Sequence, residues 1–234
     1  MNRLTGLLAK IRRKGLRGSL RLLRERFFYY HWELLTLERP LALPVPCPIS
    51  PERWPQVRIT RELLPAFDKY FKAQLPAIRG LLDKGSRGSA HLDHEGNVMM
   101  MVWISERDYY DDQLYRCWMR MPPGCLYQFA GECALPYRGS GVVILAQKML
   151  WEEYRERGFK ATRALVNVRN EAALKMHMRL GFQEVGESLH VYCLLRCLHL
   201  HRRRPYHQTR LHHLRRGRLA EQQAAASQID KERT

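Results

Sequence analysis

The sequence predicts a mixed α/β sheet flanked by helices, with basic extensions at both ends. Two observations carry the fold: hairpin-like strand patterns come first, and from about residue 125 strands alternate with helical patterns. The third observation is charge. Residues 41–190 hold 20 Lys or Arg against 17 Asp or Glu, whereas residues 1–40 and 191–234 each hold 10 against 3. The net charge of +17 on 234 residues therefore sits mainly at the ends, around an ordinary near-neutral domain. A hydrophobic content of 45 % fits a folded chain rather than a disordered one.

Residues 1–40 read as a basic amphipathic helical extension. Leu4, Leu8 and Ile11 form one apolar stripe, and Leu16, Leu20, Leu23 and Phe27 a second, offset across Gly15 and Gly18. Such a helix fits an anionic membrane surface, or equally packs its stripe on the domain and leaves a solvated basic face. A mitochondrial-type presequence has similar composition. Lys10, Arg12, Arg13, Lys14 and Arg17 interrupt any secretory h-region, and no apolar stretch reaches the roughly 18 residues of a spanning helix.

Five prolines in residues 41–55 make that segment a linker, and the folded domain is expected over residues 56–195. Gln56–Thr60 reads as a short strand, and residues 62–85 as two helical pieces separated by Pro76. A Glu95-Gly96-Asn97 turn joins two strand patterns into a hairpin. Leu114–Met121 reads as a further strand, turned by Pro122-Pro123-Gly124. Cys125–Leu135 is the strand that leads into "PYRGSGVV". Residues 144–157 follow as a helix and "ATRALVNV" as a strand. "NEAALKMHMRL" is a helix capped by Asn170 and closed by Gly181, and "QEVGESLHVYCLLR" gives closing strands.

The turn Arg138-Gly139-Ser140-Gly141 raises a chemical question, because the helix behind it has no Ser, Thr, Asp or Asn in the usual cap position. Outward-pointing amides and the helix dipole make such a start a ready anion site. Glycines let an anion approach the backbone, and Arg138 adds a charge-assisted donor. The pattern is neither GxxxxGK[ST] nor GxGxxG.

Together with "VNVRNEAALKMHMRLGFQEVG", this turn resembles the GNAT family of acyl-coenzyme A N-acyltransferases. That family's motif A, Arg/Gln-x-x-Gly-x-Gly/Ala, is matched by Arg138 and Gly141, with Val143 in place of the last small residue. Asn170, Ala172-Ala173, Met176-His177 and Gly181-Phe182 fall at the spacing of the family's next segment. The resemblance covers about residues 125–190 and implies a mostly antiparallel sheet splayed at the motif A strand. It implies acetyl-CoA or another acyl-CoA as co-substrate, with pyrophosphate on the amides of Arg138, Gly139, Ser140, Gly141, Val142 and Val143. The pantetheine arm would pair with the backbone of Cys133, Ala134 and Leu135, where one N–H polarises the thioester carbonyl. Asn170 would serve as helix cap and cofactor contact. Glu132 is the candidate base and His177, where the family commonly has Tyr, the candidate acid. The alternatives are a solvent-facing carboxylate and a structural histidine. Attack is direct, which leaves Cys133 a packed strand residue.

An acceptor site is expected between residues 62–83 and the loop after the hairpin, where Trp103, Tyr109, Tyr110, Asp111, Asp112 and Trp118 cluster. A small-molecule or sugar amine suits such a surface; core aromatics and a solvated acidic loop are the plainer reading. Residues 196–234 read as an Arg/His-rich tail, with eight Arg and five His in residues 196–218, suited to nucleic acid, acidic lipid or polysaccharide. No metal site is expected. Six cysteines without a CxxC pair point to a reducing compartment. The functional expectation is a cytoplasmic N-acetyltransferase, peripheral to the inner membrane face in one version. The alternative is a nucleic-acid- or ribosome-associated basic protein with a degenerate domain.

Overall fold

The computed structural model describes residues 29–47, 49–112, 115–195 and 197–211. In chain order the elements are β1 (Tyr29–Pro40), β2 (Gln56–Arg58), α1 (Asp68–Phe71), α2 (Leu75–Asp83), β3 (Arg87–Leu92), β4 (Val98–Ser105), β5 (Tyr109–Asp111) and β6 (Cys117–Met119). They continue with β7 (Cys125–Cys133), α3 (Val142–Glu156), β8 (Ala161–Asn167), α4 (Glu171–Arg179), β9 (Gln183–Leu194) and β10 (Leu198–Pro205).

Eight strands form one sheet in the order β10-β9-β1-β8-β7-β4-β3-β2, while β5 and β6 pair separately. Every neighbouring pair in the large sheet is antiparallel except β7 and β8. That one parallel pair follows from connectivity, since α3 carries the chain back to the same end of the sheet before β8 begins. β4 is buried at all but its last residue, as an inner strand covered on both faces. The main core joins it to Leu145, Leu150, Trp151 and Tyr154 of α3 and to Phe67, Phe71, Ile78 and Leu81 of the α1–α2 region. A smaller cluster on the sheet packs Leu34, Tyr127, Leu189 and Val191 under Cys117 and Met119 of the β5–β6 hairpin.

Two of the expected boundaries are corrected. Residues 29–40 belong to the sheet rather than to a helical extension. β1 lies between β8 and β9, and the run Leu34–Leu37 is buried at every position. An inner strand covered on both sides carries no alternation, so it cannot be told from a helix by period alone. The domain therefore opens before the proline-rich segment. At the other end, Leu198–Pro205 is an edge strand, not tail, and Gln183–Leu194 is one long strand. The amphipathic stripes of residues 4–27, and most of the Arg/His-rich tail, lie outside the described residues.

Smaller expectations shift locally. Pro76 lies in the first turn of α2, where its missing N–H is harmless, and does not separate two helices. Of the expected strand Leu114–Met121, the described residues 115–121 are strand only over Cys117–Met119. The hairpin turn is organised by Asp93, whose carboxylate accepts from the backbone N–H groups of Glu95 and Asn97 at 3.0 and 2.8 Å.

Candidate active site

β7 and β8 run side by side for a short stretch only. Their register holds at Cys125–Ala161, Leu126–Thr162 and Tyr127–Arg163. Beyond that β7 continues to Cys133 and β8 to Asn167 without pairing, so the sheet opens into a wedge. A bulge in β7 accompanies the opening. Met101 faces Glu132 and Trp103 faces Phe129, so Val102 alone opposes Ala130 and Gly131, and Ala130 takes φ +46°. Such a bulge bends the strand and takes backbone groups out of the ladder. Above it Ala134 N–H donates to Met99 O at 2.8 Å, which by antiparallel alternation turns the Cys133 peptide groups away from β4 and toward the wedge.

α3 starts at the mouth of this wedge. Its N-cap residue, Gly141, sits at φ +87° and supplies no capping side chain. Val142 N–H lies 3.4 Å from Ser140 Oγ, at the long limit of a hydrogen bond, while that hydroxyl donates to Tyr137 O at 2.7 Å. A 15-residue helix therefore presents its first amides and its positive dipole end with little internal satisfaction. Gly139, at φ +81°, has open space on its Cβ side, so an anion can reach the turn. Arg138 is exposed and folds back so that Nε donates to Cys133 O at 3.3 Å. Turn, arginine and wedge backbone are thus in one place, and they fit a pyrophosphate and an extended amide-bearing arm.

The proline-rich segment crosses this entrance. A Cβ on Gly141 would come within 2.4 Å of Ile49 Cδ1. At its start the segment is held by Arg39, which donates to Leu43 O and Pro44 O, and at its end Trp54 O faces His91 Nδ1 at 3.0 Å. A run of prolines reads as linker, because nothing in it reveals which surface it covers.

The two expected catalytic residues lie on different elements, Glu132 on β7 and His177 on α4. Glu132 is half-buried at the end of β7 and accepts from Gln74 Nε2 at 3.2 Å. His177 is turned into the core, edge-on to Phe182 at 4.8 Å, with Nδ1 2.8 Å from Ala173 O. That bond makes Nδ1 the protonated nitrogen. Burial lowers its pKa, partly opposed by the Ala173 carbonyl, so the ring is neutral and Nε2 has no proton to give. Burial likewise raises the Cys133 thiol, with Arg138 opposing, which suits a packed residue rather than a nucleophile. Asn170 caps α4, its Oδ1 accepting from Ala173 N–H at 3.1 Å.

A polar cluster that sequence reasoning missed lies beside the turn. Asp93, 5 % exposed, is within 3.2 Å of Tyr70 OH and 3.4 Å of Tyr137 OH, and the two rings meet edge to face. Burial alone would raise the Asp93 pKa, but the backbone amides of Asn97 and Glu95, the Asn97 side chain and the Tyr70 hydroxyl bring it below the ordinary value. Hydrogen bonding with the Tyr70 hydroxyl, then burial and the charge of Asp93, push Tyr137 up to about 12. Only the Asp93 turn had a local signature; Tyr70 arrives from α1. The expected aromatic-acidic acceptor surface disperses instead. Trp103 is core, Asp111 is buried and receives Tyr115 N–H, Asp112 pairs with Lys84, and Tyr110 and Trp118 are exposed together. Among the described residues no three His, Cys, Asp or Glu side chains are placed to hold a metal, and no helix is long and apolar enough to cross a membrane.

No family model and no curated protein matches the sequence. Solved structures do match the fold. A GCN5-related glucosamine N-acetyltransferase region of a fungal multi-domain GH3 β-N-acetylglucosaminidase aligns with TM-score 0.52 and 16 % identity, over 79 % of this chain and 23 % of that one. A conserved protein of unknown function from Staphylococcus epidermidis gives 0.53 and 9 %, over 74 % and 66 %. A Drosophila protein gives 0.51 and 10 %, over 82 % and 58 %. The chain spans less than two thirds of the length of each of these neighbours. The fold is that of the GNAT acyltransferases, with the mostly antiparallel sheet and the single parted parallel pair described above.

Proposed function

We propose that this protein is an acyl-CoA-dependent N-acyltransferase that moves an acetyl group from acetyl-CoA to a primary amine. The observation that carries the reading is the start of α3. A helix dipole without a side-chain cap, Gly139 open to solvent and Arg138 all converge where β7 and β8 part. In this reading the amides of Gly139 to Val143 and the Arg138 guanidinium take the pyrophosphate. Cys133 peptide groups pair with the pantetheine amides. The co-substrate supplies a thioester, and a backbone N–H near the β7 bulge polarises its carbonyl.

The amine nitrogen attacks the thioester carbon, the new C–N bond forms, the C–S bond breaks, and Glu132 takes the ammonium proton directly or through water. The sulfur leaves as thiolate and takes a proton from solvent. A thiol of ordinary pKa near about 8.5 leaves without a dedicated acid, so a neutral, buried His177 is no obstacle. An amino sugar is the acceptor class to try first. The fungal neighbour is named for glucosamine, and the half-buried Gln74–Glu132 pair at the end of β7 offers hydroxyl and ammonium partners.

Titration calorimetry with acetyl-CoA tests the reading. The wild-type protein should bind, and Arg138→Ala should weaken binding by about tenfold or more, as loss of one charge-assisted phosphate contact does. No heat with the wild-type protein would sink it, and would favour a basic binding protein with a disused cleft.

A further inference from the structure

The far end of the sheet carries an exposed apolar surface that the wedge does not use. In register, Tyr29, Leu194 and Leu198 lie side by side across β1, β9 and β10, and His31, Tyr192 and Leu200 form the next row on the same face. Leu194, Leu198 and Leu200 are 47 %, 62 % and 68 % exposed. Tyr29 is 42 % exposed, and Leu195, in the turn, 54 %. Single exposed leucines need no explanation, but a contiguous group on one hairpin does. The two rows that follow end in Arg202 and Arg204, both exposed and without an ion pair among the described residues. The face thus passes from an apolar tip to a cationic shelf along one strand.

We propose that the β9–β10 hairpin face docks on an anionic lipid bilayer. The leucine tip enters the acyl boundary, Tyr29 and Tyr192 sit at headgroup depth, and Arg202 and Arg204 meet phosphates, which is the order of chemistry a membrane interface presents. Charge complementarity selects this occupant. The sequence before the described domain carries nine Lys or Arg against one Glu, and it joins the domain at Tyr29, on the patch itself. A second copy fits less well. β10 is an open edge, but pairing it with itself would gather Arg202, Arg203 and Arg204 of both copies along one seam, with Pro205 unable to donate.

The test uses the full chain and vesicles of phosphatidylcholine with or without phosphatidylglycerol, read by sedimentation, with light scattering on the lipid-free protein. Wild type should bind the anionic vesicles. Leu198→Glu with Leu200→Glu should weaken that binding at least about tenfold, since each change removes a buried aliphatic side chain and adds a repelled charge. Both positions are exposed, so the circular dichroism melt should hold; Leu198→Ser with Leu200→Ser is the uncharged check and should weaken binding in the same direction. Equal binding by wild type and both variants overturns the proposal, as does wild type that ignores the vesicles. A wild-type dimer that the variants lose also overturns it, in favour of self-association. Acetyl-CoA binding is a separate readout, so either reading can fail alone.

Discussion

The guanidinium of Arg39 lies 4.2 Å from the ring centre of Trp151, inside the core and without a carboxylate partner among the described residues. Its hydrogen bonds go to carbonyls instead: Leu180 at 2.6 Å, Pro40 at 2.8 Å, and Leu43 and Pro44. One side chain therefore ties the end of β1, the end of α4, the middle of α3 and the start of the proline-rich segment. Burial lowers its pKa, yet a guanidinium stays charged at neutral pH. Arg39→Met should destabilise the fold by about 3 kcal/mol, because the buried Leu180 carbonyl and three part-buried carbonyls lose their donor and the cation–π contact goes. Urea unfolding measures it. Arg39→Lys should recover only part, since a point charge cannot reach four carbonyls in a plane.

Ile49 over Gly141 gives a second prediction. Gly141→Ala meets two penalties, a left-handed φ of +87° and a Cβ 2.4 Å from Ile49 Cδ1. The single change should cost about 1–3 kcal/mol. Ile49→Ala removes the second penalty only, so the double variant should be more stable than the sum of the single effects implies. Strict additivity would show that Ile49 is not seated on the turn.

Local and distant causes divide what the sequence shows of the fold. The Arg138–Gly141 turn, the Asn170 cap, Gly181 at φ +87° and the Asp93 hairpin were legible because each is written in adjacent residues. β1 was not. Its place between β8 and β9 depends on partners more than a hundred residues away, and its buried Leu34–Leu37 run has no diagnostic period. The same holds in the site. The turn could be named in advance, but the cover by Ile49, the inward turn of His177 and the Tyr70–Asp93–Tyr137 cluster are products of tertiary packing.

Three buried histidines, His91, His177 and His190, have pKa values lowered first by burial and set a pH dependence. His91 is 1 % exposed and His177 9 %; burial lowers both pKa values, with the Trp54 and Ala173 carbonyls opposing. The unfolded chain then binds more protons than the folded one as pH falls through the ordinary histidine range, about 6.5. Their stabilising contribution is complete above that pH and is lost below it, toward the lowered folded values. Asp93 acts lower. Its folded pKa is also depressed, so its contribution persists above about 3.9 and fades only in stronger acid. Thermal melts from pH 7.5 to 4.5 should show Tm falling through the histidine window, and His91→Phe should flatten that fall. A Tm independent of pH in this range would contradict the assignment.

Glu132 separates binding from chemistry. It ends β7 beside the wedge and holds Gln74, with no bond to the α3 turn. Glu132→Gln keeps the shape and can still bond Gln74, so acetyl-CoA affinity should change less than about threefold while kcat falls by about 10²–10⁴, the usual worth of a general base. Stopped assays with glucosamine as acceptor, monitored by thiol release, give both numbers. Unchanged kcat would move the proton transfer to another group, with Tyr137 and Asp93 next to be tested.

His177 offers the sharpest contrast between a motif position and its surroundings. The family pattern puts a proton donor there, but this ring lies edge-on to Phe182, bonds Ala173 O through Nδ1 and is held neutral by burial. His177→Phe keeps an aromatic ring of similar size in an apolar site and removes both nitrogens. A general acid lost at this position would lower kcat by about 10²–10⁴ and would remove the alkaline limb of the pH–rate profile. A packing residue would leave kcat within about threefold and the profile unmoved, while the freed Ala173 carbonyl costs about 1 kcal/mol of stability. We expect the second pattern. Loss of the alkaline limb in the variant, with the fold intact by circular dichroism, would restore His177 to the chemistry.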